Sequence, residues 1–240
     1  MTPNSMYENL MTLPLFKGIS YARLSEIVGN TRLAFLKYLP GEPMITAGEP
    51  CTHIKFIISG NVRMTIRNES DRVRVSQTLT APAVISPDFL FGRNTIYPAS
   101  ATAIDTVSVM QIEKNDLIML LQSDEIFLYN YLNILSTNAQ KAVDGVLAIT
   151  SGSPGVLAIT SGSLEERIAF WIIALTQMDS DNIVLTAKQR DLYSLFGVQR
   201  SSFIAALDSL HERGILDYSP NEIRVRSRRA LRSILLRQPD

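Results

Sequence analysis

Apolar residues change their spacing twice along the chain. Between residues 14 and 29 they recur at helical spacing, which predicts a short leading helix. Residues 33–113 form short runs rich in β-branched and aromatic residues, separated by Gly and Pro. Such runs predict an antiparallel β-roll or barrel. Two of the runs flank Gly60, which predicts a β-hairpin turning at that glycine.

The most regular pattern follows, in a helix predicted from residue 126 to 150. Its apolar positions alternate in steps of four and three residues: Leu128, Leu132, Leu135, Ala139, Ala142, Val146 and Ile149. A seam with this heptad spacing is typical of helices that pair with one another. We interpret the helix as the dimerisation element of a homodimer. The alternative is an ordinary helix buried in its own domain.

A tandem repeat follows this helix. The sequence GVLAITSGS occurs at residues 145–153 and again at 155–163. Two copies are too few for a solenoid, which needs at least three stacked repeats. The first copy keeps the heptad register and the second does not. We therefore expect residues 151–163 to form a hinge outside the long helix.

The last part of the chain, residues 164–240, predicts a winged helix-turn-helix. Ser163 to Glu166 and Thr186 to Gln189 each match the capping-box pattern that opens helices. Gly197 separates two predicted helices, as a residue that tolerates positive φ should. Two short strands and a final basic helix follow, and the strands resemble a wing.

Charge is distributed unevenly along the chain. The 23 basic and 23 acidic residues give no net charge, which argues against a bulk polycation. Residues 188–237 nevertheless hold ten basic and five acidic residues, a net charge of +5, whereas residues 1–187 carry −4. The basic excess therefore coincides with the predicted helix-turn-helix, as DNA binding requires.

Candidate DNA contacts follow from helix geometry. If Phe203 and Leu207 face inward, residues at the start of the second helix face outward and can reach base edges. Arg200 can bind a guanine through two hydrogen bonds. The predicted contacts to bases or phosphates are Gln199, Arg200, Ser201, Ser202, Thr186, Lys188, Arg224 and Arg226. Capping roles are the alternative for Ser202 and Thr186, and solvated charges for the arginines.

Other classes of protein find little support in the sequence. No apolar run is long enough for a membrane span, and no secretory signal is seen at the N-terminus. Cys51 is the single cysteine, which excludes an internal disulfide and a cysteine-cluster metal site. The motifs of nucleophilic, nucleotide-dependent and metal-dependent enzymes are missing. We therefore expect a cytoplasmic protein that is not an enzyme and holds no metal.

The order of these parts resembles the Crp/Fnr family of transcription regulators. The resemblance rests on AGEPCTHIKFIISGNVRMTI (47–66) and KQRDLYSLFGVQRSSFIAALDSLHERGIL (188–216). It implies an α+β fold with an N-terminal β-roll sensor at 1–125 and a dimerisation helix at 126–150. A winged-helix DNA-binding domain at 164–240 follows the hinge. Double-stranded DNA with a palindromic operator and a second copy of the chain are the implied partners, with RNA polymerase as a further candidate.

The sequence departs from the family at the effector site. Members that bind cyclic nucleotides hold the phosphate with an Arg-Ser pair, and here Ala99 precedes Ser100. The candidate effector pocket comprises Phe89, Phe91, Arg93, Ala99 and Ser100. A sensor that does not respond to cyclic AMP is therefore expected, and its cofactor is unknown. A haem ligand would have to come from His53, Met44, Met64 or Met110.

The expected function is sequence-specific DNA binding by a homodimeric transcription regulator. Two alternatives stay open for the sensor. It responds to haem, nitric oxide or a cyclic nucleotide, or it has no effector and serves only to dimerise the chain.

Overall fold

The computed structural model describes residues 3–68, 70–150, 162–176 and 180–235, without the side chains of 3–6 and 141–150. Its contacts divide the chain into two units. The first comprises Met1–Arg63 and Leu79–Ala139, and the second Met64–Thr78 and Gln140–Asp240. The second unit therefore includes a short segment that lies between two parts of the first unit in sequence.

Eight α-helices and eleven strands are found in the described residues. The helices are α1 (Pro3–Thr12), α2 (Tyr21–Asn30), α3 (Lys114–Ser123), α4 (Glu125–Thr150), α5 (Leu164–Ala174), α6 (Gln189–Leu195), α7 (Arg200–Glu212) and α8 (Arg228–Leu235). The strands are β1 (Leu33–Tyr38), β2 (Pro43–Ile45), β3 (His53–Ser59), β4 (Asn61–Arg67), β5 (Val73–Thr80), β6 (Ala83–Ile85), β7 (Ser100–Ala103), β8 (Val107–Glu113), β9 (Asp181–Ala187), β10 (Leu216–Ser219) and β11 (Glu222–Val225). The predicted α+β class is confirmed.

The first unit is built on an antiparallel sheet with the strand order β1-β8-β3-β6. Strand β8 lies between β1 and β3, where Val109 and Ile112 are fully buried. Strands β2 and β7 form a further antiparallel pair, in a second sheet. Helix α3 contacts β8 and β3, and Phe16 meets Phe127 of α4 edge to face at 5.8 Å between ring centroids. This arrangement matches the predicted β-roll.

The predicted hairpin at Gly60 is wrong. Strand β3 pairs with β8 and β6, whereas β4 lies in the other sheet. Gly60, at φ +91°, is a corner at which the chain changes sheets. The corner is held by Asp105, whose carboxylate accepts hydrogen bonds from the backbone N–H and the side-chain amide of Asn61 at 2.8 and 2.6 Å. The two predicted strands on either side of Gly60 therefore gave the position of the turn correctly. They did not indicate that β3 and β4 pair with other strands and not with each other.

The single leading helix predicted at residues 14–29 is also wrong. Pro14–Phe16 form a short 3₁₀ turn, and α2 begins only at Tyr21. Helical structure is interrupted at Gly18, which has φ +81°. Ser20 then caps α2 by accepting a hydrogen bond from the Arg23 N–H at 3.3 Å. The positive φ at Gly18 and the polar cap two residues later at Ser20 therefore divide the stretch that the apolar spacing predicted as one helix.

The predicted dimerisation helix is confirmed as an element. Helix α4 spans Glu125–Thr150, one residue longer at its start than the sequence indicated. Residues 151–161 lie outside the described residues, and with them most of the predicted hinge and of the second repeat copy. Among the residues described, no helix is both long and apolar enough to cross a membrane.

The second unit holds α5 to α8 around a sheet with the strand order β10-β11-β9-β5. Its core includes Ile168, Leu185, Phe203 and Leu231, all at most 2 % exposed. The predicted helix-turn-helix, wing and final helix all lie here. Strand β5, however, comes from the part of the sequence predicted to belong to the sensor.

Candidate nucleic-acid interface and sensor site

Helix α7 presents its first turn to solvent, as the sequence predicted. Its inward side carries Phe203 and Leu207, both fully buried in the core of the second unit. The residues at its start are exposed: Gln199, Arg200, Ser201 and Ser202. Gln199 is the N-cap but makes no side-chain capping bond, so its amide is not used by the helix. The first turn of α7 can therefore offer polar side chains to a DNA groove.

A tight glycine turn sets the angle between α6 and α7. Gly197 has φ +65°, and its N–H donates to the Ser194 carbonyl at 3.1 Å. The Val198 N–H donates to the Tyr193 carbonyl, also at 3.1 Å. Because both bonds close the end of α6, α7 can begin at Arg200 without a longer loop. This confirms the helix-turn-helix predicted from the sequence.

The second capping box, predicted for Thr186 to Gln189, is wrong. Thr186 lies within β9, and Lys188 is the N-cap of α6, with no side-chain capping bond. Pairing of β9 with β11 and β5 extends the strand to Ala187, so α6 begins at Gln189, three residues beyond Thr186. Thr186 and Lys188 are both exposed, so a phosphate contact from either remains a prediction.

Arg224 in β11 and Arg226 directly after it are both exposed, with Val225 buried between them. Arg226 donates two hydrogen bonds to the carboxylate of Asp217, one of them at 2.6 Å. These bonds hold the pKa of Asp217 below its usual range. Arg224 donates to Glu222 at 3.0 Å. A phosphate contact from Arg226 therefore has to compete with a bidentate ion pair.

A hydrogen bond between α7 and the wing was not anticipated from the sequence. The Tyr218 hydroxyl donates to the carboxylate of Asp208, and this bond raises the pKa of Tyr218. His211, one turn further along α7, meets the Tyr218 ring edge to face at 6.3 Å. Side chains of β10 and α7 are therefore linked. No local pattern could have predicted this, because the two side chains meet only when β10 folds back along α7.

Two arginines of the second unit have structural roles. Arg167 donates to the Phe196 carbonyl at 2.7 Å, with its guanidinium 5.8 Å from the centre of that ring. Arg228 donates to the Thr176 carbonyl at 3.1 Å and to the Ile173 carbonyl at 3.4 Å, near the end of α5. Arg228 therefore completes the backbone hydrogen bonding of α5 and contributes less to a DNA surface than its charge suggests.

Phe91 of the predicted effector pocket contacts α4 in the first unit. Phe91 meets Tyr131 of α4 edge to face at 5.9 Å, and the Lys114 ammonium lies 4.8 Å from the centre of the Phe91 ring. Phe89 is half-buried nearby in sequence, at the end of a 3₁₀ turn. Phe91 also lines an open apolar groove of about 430 Å³, together with Ile118, Leu121, Gln122, Glu125 and Leu128.

The other three predicted pocket residues have different surroundings. Ala99 is 4 % exposed, and Arg93 is exposed. Ser100 lies in β7, where its hydroxyl accepts a hydrogen bond from the Ala47 N–H at 3.0 Å. That acceptor bond leaves the hydroxyl proton of Ser100 available for a ligand.

Helix α4 is linked to the segment that precedes β7. The Asn138 side-chain amide donates to the Asp88 carboxylate at 3.0 Å. The Tyr131 hydroxyl donates to the Pro87 carbonyl at 3.4 Å, and burial raises the pKa of Tyr131 to about 12. These links connect the candidate effector region to the predicted dimerisation helix.

The candidate haem ligands differ in burial. Met44, Met64 and Met110 are buried among the apolar residues of the structure. His53 begins β3, as predicted, and its Nδ1 lies 2.8 Å from the Thr52 hydroxyl. Burial lowers the pKa of His53. Within the described part of the chain, no three His, Cys, Asp or Glu side chains converge as metal ligands would.

The two sides of α4 differ in burial. Phe127 and Tyr131 are at most 4 % exposed and pack into the first unit. The predicted seam lies on the other side, where Leu128 and Leu132 are 41 % and 47 % exposed. Leu135 is half-buried and Ala139 is exposed, whereas the side chains of Ala142 and Val146 lie outside the described residues.

Two family models match the chain, and they lie in the order that the fold shows. The cyclic nucleotide-binding domain matches residues 35–124. The Crp-like helix-turn-helix domain matches residues 166–234. This chain belongs to the Crp/Fnr family. Members of this family are transcription regulators, and its helix-turn-helix domain implies that DNA is the partner.

Solved structures of Crp/Fnr proteins also resemble the chain. The Thermus thermophilus catabolite activator protein has 16 % identity and a TM-score of 0.46, covering 93 % of this chain and 98 % of its own. DNR from Pseudomonas aeruginosa has 16 % identity and a TM-score of 0.45, covering 97 % and 99 %. FixK2 from Bradyrhizobium japonicum has 18 % identity and a TM-score of 0.43, covering 84 % and 96 %. No curated protein matches the chain significantly.

Proposed function

We propose that this protein is a homodimeric, sequence-specific transcription regulator of the cytoplasm. The observation that supports this best is the first turn of α7, where Gln199, Arg200 and Ser201 are exposed while Phe203 and Leu207 anchor the helix. A helix fixed in this way can enter a major groove and present Arg200 to a guanine.

Homodimer formation is supported by the exposed side of α4. Leu128 and Leu132 would each leave a large apolar side chain in water in the isolated chain. Full burial of an exposed leucine is worth about 1.5–3 kcal/mol, and because these two are already more than half buried, each gains up to about half of that in a complex. Heptad spacing suits pairing with an identical helix. A two-fold symmetric dimer would read a palindromic operator with half-sites about 34 Å apart, one turn of DNA.

The effector of the sensor is proposed to be something other than cyclic AMP. Members of the family that bind cyclic nucleotides have an arginine at the position of Ala99. Ala99 has no charge to offer a phosphate, and its side chain is buried. Contact with RNA polymerase is a further proposal, based on the regulatory role of the family.

Substitution of Arg200 tests the DNA-binding proposal. A duplex is first selected from a random library with the wild-type chain, and its affinity is measured by fluorescence anisotropy. Arg200→Ala should weaken binding by roughly 1–3 kcal/mol and relax the preference at one base pair of each half-site. Arg213→Ala, at the other end of α7, is the matched control because Arg213 is also exposed. Equal losses for both variants would contradict base reading by Arg200.

A further inference from the structure

Strand β5 belongs to the second unit by its contacts, although its sequence lies between parts of the first. Residues 64–78 group with 140–240, whereas the chain on both sides of them groups with the first unit. We call residues 64–78 the inserted hairpin. It consists of the end of β4, a turn and most of β5.

The inserted hairpin adds a strand to the sheet of the DNA-binding unit. Strand β5 runs antiparallel to β9, with Val73 opposite Ala187, Val75 opposite Leu185 and Ser76 opposite Val184. Strand β9 is therefore paired on both sides, with β11 on one and β5 on the other. Addition of a strand to a sheet edge is a common mode of recognition, because backbone hydrogen bonds supply affinity and side chains supply register.

One side chain of β5 is also part of the core. Val75 is 4 % exposed and belongs to the same apolar cluster as Ile183, Leu185 and Phe203. Val73 is half-buried and packs against that cluster. Since Phe203 anchors the recognition helix α7, the inserted hairpin packs in the same core that holds the helix in place.

The turn of the inserted hairpin presents β5 as a preformed strand. The Val73 N–H donates to the Asn68 side-chain carbonyl at 3.0 Å, and the Asn68 N–H donates to the Val73 carbonyl at 3.1 Å. Arg74 and Arg67 both approach the carboxylate of Asp71, at 3.2 and 3.8 Å. A strand that is already ordered loses less conformational entropy when it pairs.

We propose that β5 is a docking strand that couples the sensor sequence to DNA binding. Paired with β9, it supports the core that holds α7 in the position from which α7 binds DNA. Release of β5 from β9 lowers the affinity of the chain for DNA. The direction follows from the exposed state of Gln199, Arg200 and Ser201, which pairing of β5 leaves uncovered. A unit held in its binding-competent arrangement pays less ordering cost when it binds. This inference rests on the proposed DNA-binding function.

A designed disulfide tests whether the strand is docked. Ser76→Cys and Val184→Cys are combined in the full chain with Cys51→Ala, so that only the two new thiols can react. Opposite residues of an antiparallel pair have Cα atoms ~4.5–5.5 Å apart, within the range that a disulfide spans. The control pair, Arg74→Cys with Val184→Cys, is two residues out of register. Mild oxidation should cross-link the first pair at least tenfold faster, and equal rates would overturn the docked strand.

The same variant tests the coupling. The oxidised form of the Ser76→Cys/Val184→Cys chain should bind the selected duplex at least threefold more tightly than its reduced form, which serves as its own control. Equal or weaker binding after cross-linking would overturn the coupling.

A failure of the proposed function would look different. If the wild-type chain selects no duplex, DNA binding and its coupling to β5 both fail, whatever the cross-linking rates. If the duplex is selected but oxidation leaves its affinity unchanged, only the coupling fails. Circular dichroism of each variant verifies that the fold is retained.

Discussion

At the scale of single residues, the corner at Gly60 shows how strongly one position can constrain the roll. A Cβ atom at Gly60 would lie 2.6 Å from the Thr106 carbonyl oxygen and 2.7 Å from a carboxylate oxygen of Asp105. The first of these neighbours is backbone and cannot move aside cheaply. The position therefore requires glycine both for its φ of +91° and for space.

Gly60→Ala should consequently destabilise the protein more than Gly41→Ala does. Gly41 also has positive φ, at +85°, but a Cβ there would meet no atom within 4 Å. Gly41→Ala should cost the backbone strain alone, about 1–2 kcal/mol, and Gly60→Ala at least twice as much. Urea unfolding of the full chain, followed by circular dichroism, measures both. Equal costs would show that the corner can relax.

Single residues also show where sequence reasoning stops. The spacing of Thr186 and Gln189 fits a capping box, yet Thr186 is part of strand β9 and does not cap a helix. Arg228 counts toward the net charge of +5, yet it binds carbonyl groups at the end of α5. Both outcomes depend on contacts between segments that are distant in sequence or on pairing partners that a local pattern does not specify.

At the scale of elements, local patterns predicted the helices and strands well and their partners poorly. The heptad seam gave the bounds of α4 to within one residue, and Gly197 marked the turn before α7. Partner choice depended on long-range contacts. Strand β4 follows β3 across Gly60 but pairs elsewhere, and β5 pairs with a strand more than a hundred residues away.

The exposed seam of α4 predicts how the chain dimerises. Leu132→Glu would place two like charges at a two-fold contact, so it should shift the chain from dimer to monomer at micromolar concentration. Asn133→Glu is the matched control, since Asn133 is also exposed but lies outside the seam. Sedimentation velocity measures the mass of both variants. A Leu132→Glu chain that remains dimeric would contradict pairing through this face.

At the scale of the whole molecule, zero net charge conceals two regions of opposite sign. Residues 188–237 carry +5 and residues 1–187 carry −4. Several of the basic residues have carboxylate partners, as Arg226 has Asp217 and Arg224 has Glu222. The positive charge available for contacts with DNA phosphates is therefore smaller than the net charge of +5. It depends on which of these ion pairs open when the protein binds the phosphate backbone.

Salt dependence of DNA binding measures that usable charge. Replacing Arg224 with Gln in both copies of a dimer should reduce the slope of log affinity against log salt by about two, or about one for each phosphate that is no longer neutralised. Arg63→Gln, an exposed cation of the first unit, should leave the slope unchanged. An unchanged slope for Arg224→Gln would show that its pair with Glu222 persists on DNA.

The pairing of β5 with β9 has a further consequence for the behaviour of the protein at high concentration. If β5 leaves, β9 becomes an edge strand with open backbone N–H and C=O groups, which is a template for association with other chains. The nearest available strand would then be β5 of a neighbouring molecule, and two copies could exchange hairpins. Conditions that release the strand should therefore also promote domain swapping and loss of solubility.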